Sequence, residues 1–165
     1  MTEPELDGPG GKAQTSLGQP FDELALGPFE KHFLDTARRF IIALTVPESL
    51  AWVEAFRRAE LAFPAPFGAT IANAILIAVS EMQRARLDPA AIRIALHCSE
   101  GAVVTEDEHR LISAFQAVRL RRQSDAYANA LLLCDGGSCR AFLAALERIA
   151  IITGDVDVPT FTDAG

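Results

Sequence analysis

Three thiols and one imidazole are the side chains in this chain best suited to chemistry. Cys134 and Cys139 flank a four-residue turn, Asp135-Gly136-Gly137-Ser138, and His97-Cys98 lies upstream. Together they form a complete tetrahedral zinc set on paper. Two neighbouring thiols could also do redox work. The spacing favours a plainer role. A C-x4-C pair is not a strong zinc spacing. Cys134 continues the stripe of Tyr127 and Leu131, Cys139 precedes Phe142 and Leu143 by one turn, and Cys98 follows Ile94 by four. Each therefore also reads as a small buried hydrophobe. His97 and Cys98, being adjacent, would diverge on a helix.

Other chemistry is sparser. Glu106-Asp107-Glu108 could hold a cation or act as an acid/base pair, but carboxylates in a first helical turn are expected without any ligand. His32, His97 and His109 fall in separate segments, in no HxxxH or His/Ser/Asp pattern. No P-loop, dinucleotide fingerprint or nucleophile elbow is present. Arg119, Arg121 and Arg122 read as cations at a helix C-terminus. Arg38-Arg39 and Arg57-Arg58 read as solvated faces paired with nearby carboxylates.

The elements that must position these groups are helical. Phe29, Phe33, Ala37, Phe40, Ile41 and Leu44 recur at helical spacing behind Pro28, a proline suited to a first turn. Thr45 and Glu48 fit a capping box for a second helix, with Val53, Phe56 and Phe63 on its core face, Leu50 and Trp52 beside them, and Pro64 ending it. Residues 67–86 are apolar around most of the circumference, which predicts a central helix. Asp88-Pro89 starts a short helix, yet Ile92, Ile94 and Leu96 alternate like a strand, so a small β-hairpin near 92–104 competes with it. Thr105 and Glu108 form a second capping box, followed by Leu111, Ile112, Phe115 and Val118 on one face. Ser124 caps a shorter helix, Gly136 and Gly137 supply its left-handed terminus, and Ser138 caps the last helix, with Phe142, Ala145, Leu146 and Ile149 inward. Between these elements, Glu100-Gly101 followed by Thr105 and Glu108 resembles the acidic-Gly-hydrophobic-Ser/Thr-x-x-Glu linker of TerB-like helical domains. There is one copy, and no family is assigned on it.

Charge is confined to the ends. The net charge is −7. Residues 1–24 hold five acids and one lysine, and residues 155–165 hold three acids, so the body between them is neutral. A neutral body with acidic tails has no field to attract phosphates, which argues against nucleic acid as a partner. The acidic N-terminus lacks the apolar core of a signal peptide, and the run from Phe67 to Val79 is too short to span a bilayer, so no membrane association is expected. The expected compartment is the cytoplasm, where thiols stay reduced.

These features predict an all-α, single-domain bundle of six or seven helices around the 67–86 helix. Residues 1–24 are expected to be a disordered acidic leader, residues 25–154 the helical domain and residues 155–165 an acidic tail. The expected function is that of a non-enzymatic interaction, adaptor or regulatory module, engaging a protein partner or a second copy of itself, without a cofactor. The alternative is a small zinc-binding or thiol-redox protein using Cys98, Cys134 and Cys139, with His97 as the fourth metal ligand.

Overall fold

A computed structural model describes residues 19–20, 26–95 and 103–154. Six α-helices occupy the described residues: α1 (Pro28–Thr45), α2 (Ala51–Ala62), α3 (Gly68–Ala85), α4 (Glu106–Arg119), α5 (Gln123–Leu133) and α6 (Arg140–Gly154). Two short strands, β1 (Gln19–Pro20) and β2 (Val103–Val104), pair antiparallel with Gln19 opposite Val104. The fold is all-α. The helices α1, α2 and α3 pack on one another, α4 packs on α5 and α6, and α3 on α6 joins the two groups.

Helix α1 starts on Pro28 and buries Phe29, Phe33, Ala37, Phe40 and Ile41 along its expected stripe. It also buries Leu34 and Arg38 on a second side, because α4 covers that side. The centre of the core is aromatic. Phe33 stacks on Phe115 of α4 at 4.5 Å and 8° between ring planes, and Phe29 stands 5.2 Å from Phe63. Helix α3 buries Ile71, Ala72, Ile75, Ala78, Val79 and Met82 against α1, α2 and α6, as its sequence predicts. Its first residue must be small. A Cβ on Gly68 would lie 2.6 Å from the Glu60 Cα and 2.9 Å from the Ala59 carbonyl oxygen. The backbones of α2 and α3 therefore approach closely at this point.

Several local expectations are corrected. Thr45 does not cap α2. It ends α1, and its hydroxyl donates to the Ile41 carbonyl at 2.8 Å. Pro47–Ser49 forms one 3-10 turn, and Leu50 adopts φ 53° and ψ 21° before α2 begins. Ala55 and Ala59 are the residues α2 buries, while Leu50, Trp52 and Val53 are exposed. Tyr127 is also exposed, and α5 buries Ala126, Ala130 and Leu133 instead. Helix α5 begins at Gln123, ahead of Ser124, without a side-chain cap. Helix α6 begins at Arg140, so Cys139 rather than Ser138 precedes it, and its carbonyl accepts from the Leu143 amide at 2.9 Å.

Of the segment 92–104, residues 96–102, where the hairpin's turn falls, lie outside the described residues. Among the described residues of this stretch, helical turn is confined to Pro89–Ala91, capped by the Asp88 carboxylate accepting from the Ala90 amide at 3.0 Å. The amides of Arg93 and Ala95 donate to Asp107 and Glu108 at 2.8 and 2.9 Å. Carboxylates at the start of α4 thus satisfy donors that a hairpin would have paired. Val103–Val104 is a strand, but its partner is Gln19–Pro20. Those two residues are the described part of the 1–24 leader, and the 155–165 tail lies outside the described residues.

Candidate functional site

Two of the four zinc candidates, His97 and Cys98, lie outside the described residues. The other two, Cys134 and Cys139, are buried free thiols in the hydrophobic core. Burial pushes the Cys134 thiol up to about 11, with Cys139 and Asp135 adding to the shift and Arg86 opposing it. A reactive or metal-binding thiol needs the reverse, a depressed pKa beside positive charge. No cluster of three His, Cys, Asp or Glu side chains suited to a metal occurs among the described residues.

The turn between these thiols is a junction with α3. Asp135 and Gly136 take φ values of 53° and 78°, and the Gly136 amide donates to the Leu131 carbonyl at 2.9 Å, which closes α5. Gly137 has a different reason to be glycine. A Cβ there would sit 2.1 Å from the Ala85 carbonyl oxygen. Arg86, buried just past α3, donates from Nη1 to the Leu133 carbonyl and places Nε 3.3 Å from an Asp135 carboxylate oxygen. The Nε contact is an ion pair outside hydrogen-bond geometry. The turn is thereby held to the end of α3 by one cation and one missing side chain.

A second buried polar junction was not expected. Arg38 is 2% exposed and Glu108 1%. Arg38 donates from Nε and Nη2 to the two Glu108 oxygens at 2.6 and 2.8 Å. This two-pronged geometry is the strongest form of the pair. Glu108 also accepts from the Ala95 and Thr105 amides, each at 2.9 Å, while the Thr105 hydroxyl accepts from the Glu108 amide at 3.2 Å. The predicted capping box therefore exists, and its glutamate also neutralises a buried arginine from α1. Asp107 is buried beside it, with its carboxylate on the Arg93 amide. These contacts account for Glu108 and Asp107 as structural groups. Nothing local in the sequence marks Arg38, because its partner is 70 residues away.

The surface offers two further features. A shallow cleft of about 210 Å³ between α1 and α2 is lined by His32, Asp35, Thr36, Arg57 and Leu61 among others. Burial lowers the His32 pKa and Asp35 partly restores it. The other feature is α2 itself. Its outer side carries Leu50, Val53 and Leu61 together with Glu54 and Arg57, which are joined by two contacts of 2.8 Å. Hydrogen bonds from Arg57 and from Arg58, whose Nε donates at 2.8 Å, hold the Glu54 carboxyl at about 2.

Comparison of the chain with protein-family models, with curated proteins and with solved structures finds no match. No helix among the described residues is long and apolar enough to cross a membrane.

Proposed function

We propose that this chain is a non-enzymatic helical interaction module whose contact surface is the outer side of α2 and the α1–α2 connection. One observation carries the reading. Helix α2 turns its alanines inward and leaves Leu50, Val53 and Leu61 exposed at 60%, 47% and 73%. Leu44 and Val46, at the α1–α2 connection, and Trp52, in the first turn of α2, are also exposed. Single exposed hydrophobes need no explanation, but a group of them marks a contact surface. Aromatic and aliphatic anchors of this kind carry most of the energy in interfaces. The zinc or thiol alternative draws no support from Cys134, whose burial opposes thiolate formation.

Photo-crosslinking tests the reading directly. A photoreactive side chain at Val53 or Leu61, irradiated in the native host extract, should give discrete protein adducts. The same group at Arg148, exposed on α6, serves as the control. Equal, diffuse labelling at all three positions would refute the assignment.

A further inference from the structure

The order of side chains on the outer face of α2 specifies what it fits. Glu54, Arg57 and Leu61 are spaced three and four residues apart, which aligns them on one stripe of α2, and Leu50, the residue that precedes its first turn, stands four residues before Glu54 at the end of that stripe. Read from either end, the stripe runs apolar, charged, charged, apolar, with opposite charges at the centre. A sequence of this form is self-complementary when two copies run antiparallel. We propose that α2 pairs with α2 of a second copy of this chain across a two-fold axis at the level of residues 55 and 56. Leu50 then meets Leu61 of the partner subunit, and Glu54 meets Arg57 of the partner subunit. This inference rests on the proposed function and names its partner.

Three observations support the choice of a second copy. The first is charge complementarity. Reversing the direction of the stripe superposes acid on base at both central positions, as an isologous contact requires. Glu54 and Arg57 are already ionised and held together within one helix, so pairing exchanges partners without burying a lone charge. The second is Leu50, a leucine in left-handed geometry, φ 53° and ψ 21°, that is mostly exposed. Its exposure is unfavourable in an isolated chain, and its left-handed backbone is a strain that the surrounding structure must hold in place. The third is size. A helix of 12 residues is about 18 Å long, so the seam is smaller than a standard interface and fits a weak, reversible dimer in the micromolar range.

Sedimentation equilibrium of the full chain from about 1 to 500 µM, a range that brackets micromolar affinity, tests the proposal. The chain should pass from monomer to dimer. Glu54→Arg and Arg57→Glu should each weaken self-association about tenfold or more, because each replaces two attractions with two repulsions. The decisive experiment mixes the two variants. Each alone has like charges at the seam, but the mixture restores opposite charges at both central contacts and should form a heterodimer. An ion pair acting only within one helix cannot produce that result. Far-UV circular dichroism confirms that each variant is folded, and Leu61→Ser, which leaves the charges intact, should also weaken the dimer. A chain that stays monomeric across the range overturns the proposal, as does a dimer indifferent to these substitutions or a mixture that remains monomeric. Crosslinked adducts at Val53 heavier than two copies of the chain would then leave the interaction surface standing with a different occupant.

Discussion

Replacing Arg38 with methionine is expected to lower stability by about 3–5 kcal/mol, the usual cost of breaking a buried ion pair from one side. The structure sets this magnitude. Both partners are almost fully buried, the two contacts of 2.6 and 2.8 Å form a two-pronged pair, and Nη2 also donates to the Val103 carbonyl at 3.3 Å. Methionine keeps most of the aliphatic volume and removes the charge. The Glu108 carboxylate would then stay buried, with the Ala95 and Thr105 amides as its remaining described donors. Against a total of about 5–15 kcal/mol for a domain, this loss is a large fraction. Urea unfolding at neutral pH, followed by far-UV circular dichroism, measures it. Trp52 is a poor reporter because it is half-exposed in the folded state. Glu108→Gln should cost a similar amount, and the double variant should cost at least about 2 kcal/mol less than the sum, since the second change removes an already orphaned group. Amide exchange at Ala95 should accelerate in the Glu108 variant. A cost for Arg38→Met below about 1 kcal/mol, the range of exposed pairs, would refute the argument that this pair is desolvated.

Three further predictions follow from single groups. Gly137→Ala should destabilise by about 2–3 kcal/mol through its clash with the Ala85 carbonyl. Gly136→Ala meets open space and should cost only about 1 kcal/mol for its positive φ, so denaturation of the two variants should rank them in that order. Cys134 titrates near 11 when folded against 9.0 for a free thiol. The folded state therefore holds the proton longer, and stability should fall as pH rises across that interval, less so in Cys134→Ala. His32 has its folded pKa below 6.5, so its contribution to stability is present above 6.5 and is lost as pH falls through the depressed value. In an NMR titration, Asp35→Asn should move that pKa lower still, because Asp35 is the group raising it.

Much of the architecture was legible because it rests on local signals. Pro28 and the Phe29–Ile41 stripe set α1, the Thr105–Glu108 box set the start of α4, and Phe142, Leu146 and Ile149 set the face of α6. Helix α2 was misread because apolar residues occupy both of its sides. Burial went to Ala55 and Ala59 since the close backbone at Gly68 leaves room for little more than a methyl group. Arg38 looked like a surface cation because no spacing rule links it to Glu108. Gly137 looked like a second helix terminator, whereas its lack of a side chain serves contact with α3, which only the folded chain reveals. The outer stripe of α2 was present in the sequence, but its meaning required knowing which side faces outward.

The alanine face of α2 has a consequence for the lifetime of the chain. Ala55 and Ala59 bury little area, and Phe56, edge-on to Phe40 at 5.5 Å, adds one partly covered ring. Hydrophobic anchoring scales with buried area, so within Ala51–Ala62 α2 contributes less of it than the buried phenylalanines of α1 do. Helices held in this way open locally at a free energy below that of global unfolding, and proteases cut such openings. A partner seated on the outer face of α2 binds the closed form alone and raises the opening energy with its concentration. The proposed docking would therefore slow cleavage within α2 as the concentration of its partner rises.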